Sequence, residues 1–316
     1  MSQPGNVVRE DAPTVHRAGF VGIAGRPNAG KSTLLNALVG EKVAITAHQP
    51  QTTRTSVQGV VTTPDAQIVF VDTPGIHKSD TYFNKRMMEI VRSSLVERDL
   101  ILYVADSTKP VNQDVEHAIS GLPPRTKAFL VLSKIDQVQD KRQLLPLMSR
   151  YAELFPWTET IPVSARTGKG IEELKRTIIQ YLPEGPALYP QDYLTDQPMR
   201  FLAAEIIRER ILRATRQEVP HSVAILIDSW EDTERLTRIA ATIHVERSGQ
   251  KAILVGNKGE MLKKIGSEAR TQLERMVGRK VFLSLLVKVE PNWREDPSFV
   301  DAVDWRSMIG SEDRSE

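Results

Sequence analysis

The sequence predicts an α/β protein of two domains, in which a doubly wound, mostly parallel sheet precedes a smaller α+β domain. Three observations support this prediction. The chain has 316 residues, more than the ~100–200 residues of one ordinary domain. Short apolar runs alternate with helical patterns from about residue 17 to residue 182, as repeated βαβ units require. Four prolines then fall between residues 183 and 198, and a different order of strands and helices follows.

These changes along the chain divide it into five predicted regions. They are a polar disordered tail (1–16), the first domain (17–182), a proline-spaced linker or surface-packed extended segment (183–198), the second domain (199–293) and an acidic tail (294–316).

The composition excludes several kinds of protein. Hydrophobic residues make up 40% of the chain and charged residues 26%, which is typical of globular proteins. The longest uninterrupted apolar run, Leu100–Ala105, is far shorter than the ~20 residues of a membrane-spanning helix, and no secretory signal is recognisable. The absence of cysteine excludes a disulfide scaffold and a thiolate site, and it fits a cytoplasmic location.

In the first domain, five short apolar runs are predicted to be buried strands, and the segments between them helices. The strands are Phe20–Ile23, Ile68–Val71, Leu100–Val104, Phe129–Leu132 and Ile161–Val163. The helices are Ser32–Val39, Tyr82–Val96, Gln113–Ile119 and Ile171–Tyr181.

A phosphate-binding loop follows the first predicted strand. The motif G-x-x-x-x-G-K-[ST] is matched by Gly25, Arg26, Pro27, Asn28, Ala29, Gly30, Lys31 and Ser32, with Thr33 next in the helix. Backbone N–H groups of such a loop surround phosphates at the positive end of the helix. The lysine reaches the β- and γ-phosphates, and the serine hydroxyl binds Mg²⁺.

Three further stretches each follow a predicted strand, so they should meet the loop at one edge of the sheet. They are Asp72-Thr73-Pro74-Gly75, Ser133-Lys134-Ile135-Asp136 and Ser164-Ala165. The first offers a carboxylate for Mg²⁺ and an amide that senses a γ-phosphate. The second places a lysine stem along a base and a carboxylate against the N1–H and amino group of guanine. The third offers a backbone N–H to the guanine oxygen.

The second domain is predicted to begin with a helix, Met199–Gln217, whose apolar positions are separated by arginines that we expect to be solvated. Strands are predicted at Val223–Asp228, Ala240–Val245, Ala252–Val255 and Val281–Val289, and a helix at Lys258–Val277.

A basic stretch lies within this domain. Residues 235–288 contain twelve Lys and Arg and four Asp and Glu, a local net charge of +8, whereas both flanks are acidic. Inside it, Gly256-x-x-Gly259 precedes a helix, and Lys258, Lys263 and Lys264 add positive charge. Such a loop clamps a nucleic-acid backbone in KH modules, although a solvated helix face and a simple turn also explain the charge and the glycines.

The ordered motifs resemble those of GTPases, and Pro27-Asn28-Ala29 with Gln51-Thr52-Thr53-Arg54 is typical of the translation-associated branch. The resemblance continues through residues 205–210, 218–224 and 256–259 and identifies the chain as a member of the bacterial Era family. The resemblance implies a GTPase domain followed by a type II KH domain, with GTP hydrolysis as the activity and Mg²⁺ as the cofactor. It also implies binding of the 3′ end of 16S ribosomal RNA and a role in assembly of the 30S subunit.

The resemblance also assigns roles to residues. Residues 25–33, 72–76, 133–136, Ser164 and Ala165 would bind the nucleotide, and Ser32, Asp72 and Thr53 (or Thr52) would bind Mg²⁺. Lys31, Thr53 and Gly75 would act in catalysis. Gly256, Asn257, Lys258, Gly259, Lys263 and Lys264 would bind RNA.

Two positions depart from this pattern. Ser133 stands where the family usually has Asn, so a hydrogen bond to the phosphate loop would be shortened or bridged by water. Ile76 stands where many GTPases have the Gln that orients the attacking water, so we expect slow intrinsic hydrolysis. Asn28 offers an oxygen for K⁺ beside the phosphates, and a simple turn-forming role explains it equally well.

Two other functions remain open at this stage: a kinase or ATPase without guanine selectivity, and an RNA-binding scaffold without turnover. A monomer with a weak peripheral contact to the inner face of the cell membrane is also expected.

Overall fold

The computed structural model describes residues 16–47, 52–75, 81–215 and 219–304. The first domain contains a sheet of six strands in the order β2-β3-β1-β4-β5-β6. These are β1 Arg17–Gly25, β2 Val57–Thr62, β3 Ala66–Asp72, β4 Leu100–Asp106, β5 Ala128–Ser133 and β6 Glu159–Pro162. All neighbours are parallel except β2 and β3. The prediction of a doubly wound, mostly parallel sheet is confirmed, although the sequence analysis did not identify β2.

Helices cover both faces of this sheet. They are α1 Lys31–Val39, α2 Tyr82–Leu95, α3 Gln113–Ser120, α4 Leu144–Ala152 and α5 Ile171–Tyr181. Alternate residues of β4 pack in opposite directions, as the two-residue period of a strand dictates. Leu102 belongs to the core beneath α1 and α5, and Tyr103 to the core beneath α2, α3 and α4.

The segment between the domains is extended and lies on the first sheet. The side-chain oxygen of Gln67 accepts backbone N–H bonds from Leu188 and Tyr189. The Val60 N–H donates to the Leu194 carbonyl at 2.9 Å. The linker is therefore a surface-packed segment, one of the two expected alternatives.

The second domain is a three-stranded sheet, in the order β7-β8-β9, with helices on one face. Its elements are α6 Met199–Ala214, α7 Val219–Ser222, β7 Ala224–Asp232, β8 Leu236–Val245, α8 Ser248–Val255, α9 Glu260–Val277, β9 Lys280–Val289 and α10 Pro297–Val303. The first two strands are antiparallel and the last two parallel.

The strand predicted at Ala252–Val255 is wrong, because these residues form the last turns of α8. The side chain of Gln250 accepts the backbone N–H of Arg247 and helps to start this helix. Gly256-x-x-Gly259 therefore connects two helices. Among the described residues, no helix is long and apolar enough to cross a membrane.

Candidate functional site

The phosphate loop lies between β1 and α1, at the carboxyl end of the sheet. Lys31, the first residue of α1, is buried, and its ammonium group donates to the carbonyls of Gly25 and Arg26 at 3.2 and 3.1 Å. The lysine side chain thus folds back across the loop. The Arg26 guanidinium is 2.7 Å from the Asp114 carboxylate at the start of α3, which ties the loop to the next helix.

Three oxygen groups meet beside this loop. The Ser32 hydroxyl lies 2.6 Å from the Thr53 hydroxyl and donates to Asp72 Oδ2 at 2.7 Å. The Thr53 hydroxyl is 3.5 Å from the same carboxylate oxygen. The other oxygen, Oδ1, is buried with no hydrogen-bond partner among the described residues. Hydroxyl and carboxylate oxygens are the ligands that Mg²⁺ prefers, so this set fits the cation.

Thr53, rather than Thr52, is the threonine in this set. The Thr52 hydroxyl instead lies 3.5 Å from the Ala47 carbonyl.

Burial shifts the proton equilibria of the two central charges. Burial lowers the pKa of Lys31 to about 8, although the negative charge of Asp72 opposes this shift. Burial raises the pKa of Asp72 to about 6, although Lys31, Ser32 and Thr53 oppose the shift. Each group therefore lacks enough surrounding charge to stabilise its ionised form fully, and phosphate oxygens near the lysine or a cation near the carboxylate would supply that charge.

Gly75 packs directly against the phosphate loop. A Cβ atom at this position would lie 2.7 Å from the backbone nitrogen of Pro27, so a larger residue would displace the loop. Upstream, Thr73 anchors the same turn, because its hydroxyl donates to the Ile23 carbonyl at 2.8 Å. Pro74 lies between the two, and the predicted nucleotide-binding residue Ile76 lies outside the described residues.

Ser133 makes a direct bond to the phosphate loop. Its hydroxyl lies 2.6 Å from the Ala29 carbonyl and 3.0 Å from the Ala105 carbonyl. The serine thus reaches the loop through a short direct hydrogen bond, which is the first of the two expected alternatives.

Lys134 and Asp136 face the same cavity, while Ile135 is buried beneath them. The Lys134 ammonium group is fixed by Asp106 Oδ2 at 2.7 Å and the Asn28 carbonyl at 2.6 Å. Asp136 Oδ1 accepts a hydrogen bond from the Ser164 hydroxyl at 2.7 Å.

The backbone N–H of Ser164 is already bonded to the Lys169 carbonyl at 2.9 Å. Of the two residues predicted to approach the guanine oxygen with an N–H group, Ala165 is thus the better placed. It lines the cavity, which has a volume of ≈ 750 Å³ and is within the size range of small-molecule sites.

The predicted RNA-binding loop is exposed at the junction of α8 and α9. Gly256 has a φ of +70°, and a Cβ atom there would lie 2.7 Å from that of Met261. Lys258 also has a positive φ, of 48°. Asn257, Lys258, Lys263 and Lys264 are all exposed, and Gly259 is half-buried, so the loop presents a basic surface.

Helix α6 of the second domain makes hydrogen bonds with the segment that precedes Thr53 in the chain. The Glu209 carboxylate is fully buried, and it accepts hydrogen bonds from the Lys42 ammonium group at 2.6 Å and the Thr46 N–H at 3.0 Å. Arg213 lies 3.0 Å from the same carboxylate. Arg208, also buried, donates to the Thr52 carbonyl. The arginines of α6 were expected to be solvated, and for Arg208 that expectation is wrong.

The side chain of Arg54, the residue after Thr53, contacts the second domain. Its guanidinium donates to the Val223 carbonyl at 2.5 Å and lies over the rings of Phe83 and Trp293, at 5.2 and 5.8 Å from their centres. Trp293 is completely buried, so it packs in the core between the domains rather than facing solvent. Arg54, Arg208 and Glu209 lie in stretches that carry the family resemblance, but the sequence analysis assigned none of them a contact between the domains.

Comparisons with known proteins cover both domains. Residues 20–134 match a family described as "50S ribosome-binding GTPase", and residues 218–294 match the KH domain family. The GTPase Era of Geobacter metallireducens is 47% identical over 283 residues, covering 89% of this chain and 95% of that protein. The GTPase Era of Nostoc sp. is 45% identical over 296 residues, covering 93% and 91%.

Two solved structures are similar along almost the whole chain. One is an Aquifex aeolicus Era variant bound to GDP·AlF4⁻, with 41% identity, a TM-score of 0.88 and coverage of 92% of this chain and 99% of that one. The other is Era in complex with MgGDPNP and nucleotides 1506–1542 of 16S ribosomal RNA, with the same identity and coverage and a TM-score of 0.89.

Proposed function

The chain belongs to the Era family of GTPases, and from this premise we propose that it holds the 3′ end of 16S ribosomal RNA in its KH domain during assembly of the 30S subunit. It hydrolyses GTP to GDP and phosphate. Membership of this family excludes the kinase or ATPase alternative and the scaffold without turnover.

The observation that supports the nucleotide roles best is the meeting of Ser32, Thr53 and Asp72 beside a buried Lys31. In this proposal, Ser32 and Thr53 bind Mg²⁺, and Asp72 does so through water. When bound there, Mg²⁺ would neutralise part of the charge on the phosphate oxygens. Lys31 leaves the loop carbonyls for the phosphate oxygens, and Gly75 offers its N–H to the γ-phosphate.

Hydrolysis would then depend on positioning and charge neutralisation, since the side chain of Ile76 cannot hydrogen-bond a water. Asn28 has a positive φ of 62° and is exposed at the cavity. We propose that its side-chain oxygen helps to bind K⁺, which would supply charge that other GTPases receive from an arginine.

RNA would bind at the loop of residues 256–259, because its glycines allow close approach of a sugar-phosphate backbone. Lys258 in the loop, with Lys263 and Lys264 in the helix that follows, would attract phosphate. Bound RNA would influence the nucleotide site through α6, since Glu209 and Arg208 contact the segment that contains Thr53. If bound RNA favours one conformation of this segment, the affinity of the first domain for its nucleotide changes as well. The contacts between the domains make α6 a more direct route for this coupling than the linker.

We further propose a monomer that acts in the cytoplasm. The expected weak contact with the membrane would have to use a surface other than the apolar side of α6, because all but the first few apolar side chains of that helix are packed within the protein.

The RNA proposal is tested by replacing Lys258 with Asp, which turns attraction for phosphate into repulsion. We expect binding of an RNA oligonucleotide with the 16S 3′-terminal sequence to be lost, while GTP affinity without RNA stays unchanged. Arg125→Asp, at an exposed position of the first domain, is the control with the same charge change. Tight RNA binding by Lys258→Asp would refute the assignment of this loop.

The nucleotide proposal is tested by Lys31→Ala, which should lose GTP affinity and turnover together because it removes a positive charge beside the phosphates. Normal turnover in this variant would refute the assigned role.

A further inference from the structure

Arg166 lies in the base-reading part of the nucleotide cavity, two residues after Ser164. Its guanidinium nitrogen Nη2 is 2.8 Å from Asp136 Oδ2, and its side chain is 74% exposed. The family motifs identified in the sequence assign this residue no role.

The position of the guanidinium relative to Asp136 is the informative feature. The Ser164 hydroxyl holds Oδ1 of the carboxylate, which leaves Oδ2 for Arg166. The hydrogen bond from Ser164 and, to a smaller extent, the charge of Arg166 keep the pKa of Asp136 below its usual value. The carboxylate is therefore ionised and able to accept hydrogen bonds at neutral pH.

Guanine carries the same donor group as arginine. Its N1–H and 2-amino N–H bonds belong to one planar N–C–N unit, as do the paired N–H donors of a guanidinium. Arg166 contacts the carboxylate through one nitrogen, Nη2, and the two donors of guanine would use both of its oxygens, so Asp136 cannot bind both groups in full at one time.

We infer that Arg166 is an internal stand-in for the guanine base, bound to Asp136 when the site holds no nucleotide and displaced when the base enters. This inference rests on the proposed role of Asp136 in reading guanine. Arg166 would thus lower nucleotide affinity and reduce discrimination between bases. Hypoxanthine lacks the 2-amino group, so an inosine nucleotide leaves one carboxylate oxygen free to keep Arg166.

The test measures dissociation constants of GDP and IDP for the full chain and for Arg166→Ala, at low and high salt. Because exposed ion pairs are weak, we expect GDP to bind about two- to five-fold more tightly to the variant at low salt, and the gain to shrink at high salt. IDP should gain less than GDP. Arg142→Ala, which removes an exposed arginine paired with Asp140, should change neither constant.

Unchanged or weaker GDP binding by Arg166→Ala would overturn the inference, and so would an equal gain for IDP. The Asp136→Asn variant separates this failure from failure of the proposed function. If Asp136→Asn binds GDP normally, Asp136 does not read the base and both ideas fail. If Asp136→Asn weakens GDP binding while Arg166→Ala has no effect, only the stand-in is refuted. In an Asp136→Asn background, Arg166→Ala should have no effect on GDP affinity.

Discussion

Replacing Glu209 with Gln should loosen the segment that leads to Thr53. The carboxylate is completely buried and is surrounded by Lys42, Arg210 and Arg213 at 2.6, 3.1 and 3.0 Å. Glutamine keeps the shape and an acceptor for the Thr46 N–H but removes the charge, so three cations are left facing one another.

The expected magnitude follows from the exposure of these partners. Breaking a buried ion pair costs ~3–5 kcal/mol when the remaining charge stays buried. Here the side chains of Lys42 and Arg213 are 38% and 46% exposed, so water screens part of the repulsion and we expect ~2 kcal/mol. Glu209→Ala also leaves the Thr46 N–H without its acceptor, which adds ~1 kcal/mol.

Amide hydrogen exchange measures this loosening directly. A cost of ~2 kcal/mol should make exchange in residues 42–47 about thirty-fold faster, with strand β5 unchanged. Glu172→Gln, which breaks an exposed pair with Lys175, is the control. Acceleration below about threefold in residues 42–47, or equal acceleration in β5, would refute the reasoning.

The same contact predicts a pH dependence. Burial raises the pKa of Glu209, but the hydrogen bonds from Lys42 and Thr46 and the nearby cations outweigh it and lower the pKa below the usual value. The stabilisation is therefore present above the pKa of an unfolded glutamate, ~4.3. It is lost as the pH falls through the lower folded value, so protection of residues 42–47 should persist to about pH 4 and then decline.

Three further predictions concern the nucleotide site. Gly75→Ala should reduce single-turnover hydrolysis by more than about tenfold, because the added methyl group meets the Pro27 backbone; a rate within twofold of the parent would contradict this. Ser133→Ala should weaken GDP binding about fivefold through loss of a hydrogen bond of ~1 kcal/mol to the phosphate loop, whereas equal affinity would mean that the bond does not stabilise the loop. Turnover should be faster in KCl than in NaCl at equal ionic strength, and Asn28→Ala should abolish the difference; equal rates in both salts for the parent protein would exclude the K⁺ site.

The sequence predicted, for a simple geometric reason, that its motifs lie along one edge of the sheet. Each motif follows a strand, and parallel strands end at the same edge, so Lys31 lies close to Asp72 and lines one cavity with Asp136. The strand predicted at Ala252–Val255 failed because four apolar residues fit a strand or a helix equally well. The hydrogen bond from the Arg247 N–H to the Gln250 side chain, which helps to start the helix, lies outside that window.

The contact between the domains could not be predicted from the sequence. Glu209 and Arg208 are two of several charges on one helix, and hydrophobic periodicity does not tell a buried charge from a solvated one. Their burial depends on Lys42 and Thr52, which are more than 150 residues away in the chain.

The path of the linker affects how this protein behaves towards other copies of itself. Strand β2 is the last strand of its sheet, and the outer edge of such a strand can pair with a strand of another molecule. Here the Val60 N–H donates to the Leu194 carbonyl, and the Gln58 carbonyl accepts a hydrogen bond from the Thr195 hydroxyl at 2.7 Å. A change in linker length that lifted these residues would expose a template for aggregation, so the segment that joins the domains also protects the protein from assembling through its sheet.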